Sequence, residues 1–157
     1  MSKRPTWDEV WMEMTDVIGR RSLCTRAQVG AVIVTVDNRV QAASYNGSAP
    51  KLPVDGPCSD WCPRAMAERG ATLDTGYNDC YALHAESNAI ARSDHTQLDG
   101  ATIYVNGSVC MNCAKMITAT RISRVVMRIN PSDAHRDPGA VIRYLQECEI
   151  SVVALHV

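Results

Sequence analysis

The sequence predicts an α/β protein: a three-layer α/β/α sandwich around a central five-stranded mixed sheet. Three observations carry this reading. Short apolar runs alternate with helical patterns along the chain, which calls for a sheet covered on both faces by helices. The first two strands are separated only by a turn, whereas the later strands are separated by helix-length segments, so the second half of the sheet is parallel. Finally, 157 residues suit a single domain (residues 1–157), long enough to bury roughly 70% of the surface its unfolded form exposes.

Each element has its own signal. Trp7, Val10, Trp11, Met14, Val17 and Ile18 recur at three- and four-residue spacing, an amphipathic helix over 7–19. Thr6 with Glu9 three residues on forms a capping box at its start. Residues 29–34 read as a buried strand, and Asp37-Asn38 turns the chain into a second strand over 40–45. Asn46-Gly47 supplies turn chemistry at its end. Residues 47–81 break the pattern with repeated Pro and Gly, and only 64–70 could form a short helix. An insertion of that length is uncommon in a compact domain unless it is functional or tied down. Alternation then resumes: helix 82–92, strand 101–105, helix 111–120, strand 124–129, helix 139–148 and strand 150–155. There is no internal repeat and no low-complexity segment.

The formal net charge is −1, with charges of both signs interspersed, which argues against a nucleic-acid binder and its basic stripe. No signal-peptide core follows Met1, and no stretch approaches the roughly 20 apolar residues of a membrane span. The expectation is a cytoplasmic protein without nucleic-acid or membrane partners. Seven cysteines are then conspicuous. Disulfides are rare in a reducing cytosol, so clustered cysteines point to metal or catalysis. Cys148 stands apart from the clusters and is expected to be a buried small hydrophobe.

Two motifs carry the chemistry, His84-Ala85-Glu86 and Cys110-Met111-Asn112-Cys113, each at the opening of an expected helix. Two thiolates from one helix start and a distant imidazole can share a zinc ion. Three protein ligands leave the fourth tetrahedral position open, as catalytic zinc requires. Helix N-termini favour thiolate there. Glu86, two residues past the histidine, flanks the metal without ligating it and can carry protons. Blander readings compete: a Cys-x-x-Cys redox pair, a core histidine at 84, a simple hairpin turn at Asn46-Gly47. Setting aside Cys110, Cys113 and Cys148 leaves Cys24, Cys58, Cys62 and Cys80, the number a closed structural zinc site needs.

Gln28-Val29-Gly30-Ala31-Val32-Ile33-Val34, Tyr45-Asn46-Gly47, His84-Ala85-Glu86-Ser87-Asn88-Ala89-Ile90, Gly100-Ala101-Thr102-Ile103-Tyr104-Val105 and Cys110-Met111-Asn112-Cys113-Ala114-Lys115 stand in this order along the chain. Together they resemble the deoxycytidylate (dCMP) deaminase family over about residues 7–130. The resemblance implies a cytidine deaminase-like fold and hydrolytic deamination of dCMP to dUMP. Water adds at C4 of cytosine, and Glu86 delivers a proton to N3 and then to the departing ammonia. It implies zinc on His84, Cys110 and Cys113, a deoxyribose contact from Asn46, and a pocket wall from the Ala85 backbone, Ser108 and Val109. It further implies a homo-oligomer, a hexamer foremost, with dCTP and dTTP as effectors. A second, structural zinc in some members matches Cys24, Cys58 and Cys80, with Cys62 as fourth ligand, and would tie the 47–81 insertion. Arg26 and Lys51 are candidate phosphate contacts, although solvated surface charge is the plainer reading of each. The family's proline before the first cysteine is replaced by Val109, within Asn106-Gly107-Ser108-Val109-Cys110. That change, with the small residues 107 and 108, suggests room for a 5-substituted dCMP. Competing functions are a related deaminase acting on tRNA adenosine or a nucleoside, and a nucleotide-sensing module that has lost catalysis; an intact Glu86 speaks against the latter.

Overall fold

Helix α1 (Trp7–Gly19) starts where its capping box places it: the Thr6 N–H donates to Glu9 Oε2 at 2.6 Å, and the Glu9 N–H to Thr6 Oγ1 at 3.3 Å. The computed structural model describes residues 3–156. The chain continues through β1 (Gly30–Val34), β2 (Val40–Tyr45), α2 (Pro63–Met66), α3 (Ala85–Ala91), β3 (Thr102–Val105), α4 (Met111–Thr118), β4 (Arg124–Ile129), α5 (Pro138–Glu147) and β5 (Ser151–His156). The sheet has five strands in the order β2-β1-β3-β4-β5. β1 is antiparallel to both β2 and β3, and β3, β4 and β5 run parallel, so the sheet is mixed as the spacing of the strands requires.

Side chains alternate across the sheet with the two-residue period of a strand. Val32, Val34, Tyr104 and Val126 pack with Trp11 and Met12 of α1 on one face. Ala31, Ile33, Ile103, Val105, Val125 and Met127 face the other way, against apolar residues of α3, α4 and α5. This makes the three layers. α1 comes close to the sheet at Gly30, where a Cβ would lie 2.0 Å from the Thr15 carbonyl oxygen. Only glycine lets α1 lie so near the start of β1.

Several boundaries differ from the sequence reading. Asn46-Gly47 is no turn: Gly47 pairs with Leu83 through backbone bonds of 2.8 and 3.1 Å, and this bridge delays α3 until Ala85. The short helix expected over 64–70 is a single turn, Pro63–Met66, begun by the proline that suits a first helical position. Cys148 is exposed at the end of α5, not buried. A 3-10 turn, Pro131–Arg136, follows β4 and passes to α5 through Asp137, whose carboxylate accepts from the Ala140 N–H at 3.1 Å.

The 47–81 insertion is ordered by polar contacts that its composition did not announce. Buried Arg64 donates from Nη1 to the Asp74 carbonyl and to Asp79 Oδ1, each at 2.8 Å. Arg26 clamps it from outside, with Nε on the Arg64 carbonyl at 2.7 Å and Nη2 on the Ala67 carbonyl at 3.1 Å. Cys58, Cys62 and Ala82 form a small apolar cluster there with Trp61, Cys24 and Cys80 around it. Among the described residues no helix is long and apolar enough to cross a membrane.

Candidate active site

The carboxyl end of β3 and the N-termini of α3 and α4 converge at one place, the position where α/β sheets generally bind ligands. His84 is the N-cap of α3, Cys110 the N-cap of α4, and Cys113 lies in that helix's first turn. The loop between β3 and Cys110 is anchored at Asn106, whose Oδ1 accepts from the Gly30 N–H at 2.9 Å while Nδ2 donates to Asp16 at 3.0 Å. Thus the same close contact that demands Gly30 also holds the loop leading to the cysteines.

His84 Nδ1 lies 3.5 Å from Cys110 Sγ and 3.5 Å from Cys113 Sγ. The three ligand atoms all fall within 4.8 Å of one another, the one such group among the described residues. Tetrahedral bonds of about 2.3 Å to sulfur and about 2.0 Å to nitrogen separate such atoms by about 3.5 Å, so the set fits zinc. The chemistry agrees: two thiols and an imidazole match zinc's ligand preferences and leave one coordination position free. The Cys113 thiol, by its hydrogen bond, brings Cys110 down to about 4 against the opposing effect of burial, and His84 assists. Cys113 is correspondingly pushed up by Cys110 and by burial.

Glu86 is only 2% exposed and lines the same cavity as His84. Burial pushes its carboxyl above the usual carboxylate range, and the nearby His84 charge restrains that rise. A carboxyl so placed is suited to taking and returning a proton near neutral pH.

Asn46 and Ala85 also line the cavity. The Asn46 amide is partly committed, with Oδ1 accepting from the Val29 N–H and Nδ2 donating to the Ala27 carbonyl, both at 2.9 Å. Ser108 and Val109 do not reach the cavity surface. Both are fully buried. Val109 packs in the main core, and the Ser108 hydroxyl donates to Asp133 at 2.9 Å. A Cβ at Gly107 would meet the side chains of Val29 and Arg136 at 3.8 and 3.9 Å. Arg26 is no free phosphate arm, since its Nε and Nη2 hold the insertion, and Lys51 is exposed and away from the cavity.

Tyr77 and Arg136 are among the cavity residues that the sequence reading did not name. Tyr77 comes from the insertion with a left-handed φ of 63°, its ring edge-on to His84 at 4.7 Å between centroids. Arg136 comes from the 3-10 turn after β4; its Nε donates to the Tyr77 hydroxyl at 2.8 Å and its Nη1 to the Ser108 carbonyl. No local motif marks either residue. A tyrosine after Gly76 inside an irregular stretch was the one faint sign.

Cys24, Cys58, Cys62 and Cys80 meet in one cluster lining the cavity, with Cys80 beside His84, all as free thiols. Burial and the neighbouring thiols push Cys58 up to about 12. The four do not close as tightly as the His84 group.

The chain is similar to known proteins in both sequence and fold. The model for the cytidine and deoxycytidylate deaminase zinc-binding region matches residues 5–129. Deoxycytidylate deaminase of Mycobacterium phage D29 is 39% identical over 126 residues, 78% of this chain and 94% of the phage protein. Deoxycytidylate deaminase of Schizosaccharomyces pombe is 36% identical over 127 residues, again 78% of this chain but only 37% of the yeast protein. In fold, the dCMP deaminase of cyanophage S-TIM5, solved with dCMP and dUMP, superposes with a TM-score of 0.70 at 24% identity, covering 98% of this chain and 100% of the other. A match spanning most of the chain and a close phage relative place this protein, with its zinc-fitting site, in the cytidine and deoxycytidylate deaminase family.

Proposed function

We propose that the protein is a zinc-dependent hydrolase that converts dCMP to dUMP and ammonia, with His84, Cys110 and Cys113 as metal ligands and Glu86 as proton carrier. The observation that carries this reading is the three-ligand zinc geometry with a buried, non-ligating carboxyl in the same cavity. Zinc, when bound, acidifies water and so supplies the nucleophile. Glu86 accepts the proton that water gives up and passes it to N3, then carries the second proton, released by the oxygen added at C4, to the amine, which leaves as ammonia. Ala85, in the first turn of α3, offers a backbone N–H that the helix leaves unpaired. Asn46, pinned by residues 27 and 29, presents the remainder of its amide to the sugar. A 5-substituted dCMP is a second candidate substrate of the same site, since residues 107 and 108 are small.

Finer readings belong with this proposal. The four remaining clustered cysteines hold a second, structural zinc. A homohexamer responsive to dCTP and dTTP, working in the cytoplasm, follows from the resemblance to dCMP deaminases. The test of substrate is ammonia release from a panel of cytosine, deoxycytidine, dCMP, 5-methyl-dCMP, adenosine and tRNA. The expected outcome is the highest kcat/KM on dCMP; preferential release from adenosine or tRNA would overturn the reading.

A further inference from the structure

A tight turn of the insertion, residues 74–79, lies against the metal site. Within it the Tyr77 N–H donates to the Asp74 carbonyl at 3.1 Å. The Asp74 carboxylate accepts from the Gly76 N–H at 2.8 Å and from the Asn78 N–H at 3.1 Å. These bonds hold Tyr77 at its φ of 63°, a region that a bulky residue seldom occupies. The turn also touches the cysteine helix: Asn112, between the two cysteines, donates from Nδ2 to the Gly76 carbonyl at 3.3 Å.

Arg64 clamps this turn to the rest of the insertion. It is 7% exposed, and its Nη1 donates to both the Asp74 carbonyl and Asp79 Oδ1. Its own backbone N–H donates to the Asp79 carbonyl at 2.8 Å. The guanidinium carbon sits over the Tyr77 ring, 4.3 Å from its centroid. A cation over an aromatic face is held by the ring's quadrupole, more strongly where water is excluded. Turn and ring are thus fixed together by a residue that uses none of the four clustered thiols.

His84 needs such a neighbour. A metal-bound imidazole is generally oriented by a hydrogen bond from its second nitrogen to an oxygen. Among the described residues the ring's contacts with Cys110 and Cys113 both involve Nδ1, and no oxygen meets Nε2. Cys80, beside the ring, offers only a weak sulfur acceptor. Tyr77 meets the imidazole edge to face, with centroids 4.7 Å apart and planes at 87°. That is a favoured geometry for two aromatic rings, and it restricts rotation of the imidazole about its side-chain bonds.

We propose that Tyr77 is a positioning residue for the catalytic zinc: its ring, clamped by Arg64, fixes the plane of the His84 imidazole. This rests on the zinc reading of His84, Cys110 and Cys113, and it holds whichever nucleotide is deaminated.

The test titrates wild type, Tyr77→Leu, Tyr77→Phe and Arg64→Lys with buffered zinc and follows the imidazole nitrogens of His84 by NMR on histidine-labelled protein. The chain has four histidines, and the cysteine cluster contains none, so this signal reports the catalytic site alone. Tyr77→Leu requires about 10–100-fold more free zinc for half-occupancy, the usual cost of losing a group that orients a metal ligand. Tyr77→Phe loses only the hydroxyl, with its contacts to Arg136 and His135. Because the ring remains, its zinc affinity stays within about threefold of wild type. Arg64→Lys keeps a charge for Asp79 without the planar fork, and falls between the two. A merely structural role for Tyr77 would open the insertion to protease in Tyr77→Leu and leave zinc affinity unchanged, which overturns the proposal. Equal weakening in Tyr77→Phe and Tyr77→Leu overturns it too, since the ring would then not be the cause. If Tyr77→Leu does not fold, Arg64→Lys decides, and a zinc affinity equal to wild type is equally fatal. Wild type whose His84 signal ignores added zinc defeats the zinc reading itself, whereas a Tyr77→Leu variant that binds zinc at His84 as tightly as wild type defeats only this one.

Discussion

At Glu86 two effects oppose each other: burial disfavours the charged carboxylate, and the neighbouring His84 favours it. Burial wins, and the carboxyl rises toward the pH at which a proton can be both taken up and released. Because Glu86 is not among the three converging ligand atoms, Glu86→Gln should keep its zinc while losing about 10²–10⁴-fold in kcat on dCMP. Elemental analysis and steady-state kinetics on one preparation decide it. Loss of the metal, or retained activity, would assign Glu86 a different role. The metal triad was legible in the sequence because each part is local: a His-x-Glu at one helix start, a Cys-x-x-Cys at another. Arg136 was not, since it enters the cavity through partners 28 and 59 residues away and carries no motif of its own. The side chains of Ser108 and Val109 are a contrasting case. Adjacency to Cys110 suggested a pocket wall, but packing against the core and Asp133 turns both inward.

Between elements, α1 is fastened to the sheet by two ion pairs, one of which also braces the loop before Cys110. Arg124 donates to both oxygens of Asp8 at 2.8 and 2.6 Å, and the Tyr104 hydroxyl donates to Asp8 at 2.7 Å. Arg128 makes a similar fork to Asp16 at 2.7 and 3.0 Å, with Asn106 on the same carboxylate. The Arg124 hydrogen bond holds Asp8 below the usual carboxylate range against opposing burial. For Asp16 burial pushes upward, but Arg128 and Asn106 outweigh it. Both carboxylates therefore contribute stability that is fully present above the unfolded Asp value of about 3.9, and lost as pH falls through their lower folded values. Asp8→Asn should cost about 0.5–1 kcal/mol at pH 7, a figure kept small because the Asp8 side chain is 39% exposed. The difference from wild type should close as the pH falls below about 4. Denaturant titrations across pH 3–7, within the range where wild type is folded, check this, and a pH-independent difference would remove the ion pair from the account. The helix and all five strands were legible from periodicity and capping, to within a few residues. These ion pairs were not, because a charge at the edge of an amphipathic face looks the same whether it meets water or a partner across the sheet.

For the whole molecule, the question left by the sequence is what orders residues 47–81. Polar contacts from Arg26 and Arg64 supply part of the answer, and neither could be read from a stretch dominated by Pro and Gly. The proposed source of the rest is the four thiols. Cys24 precedes β1, Cys58 and Cys62 flank a single 3-10 turn, and Cys80 lies just before the Gly47–Leu83 bridge, so one ion bound by all four would join three separated segments. It would also stiffen the wall of the cavity that these cysteines line. Metal bound only by the folded chain adds its binding free energy to folding. Two sites predict close to two zinc ions per chain by elemental analysis, since the catalytic set of His84, Cys110 and Cys113 accounts for one and the cluster for the other. Cys58→Ser should hold about one ion, melt at a lower temperature and lose protection of the insertion against protease. The catalytic zinc should stay bound, because its ligands rest on α3 and α4 and not on the insertion. Native protein with a single zinc, and with Cys58 and Cys62 open to a thiol reagent, would leave the insertion held by Arg26, Arg64 and apolar packing alone.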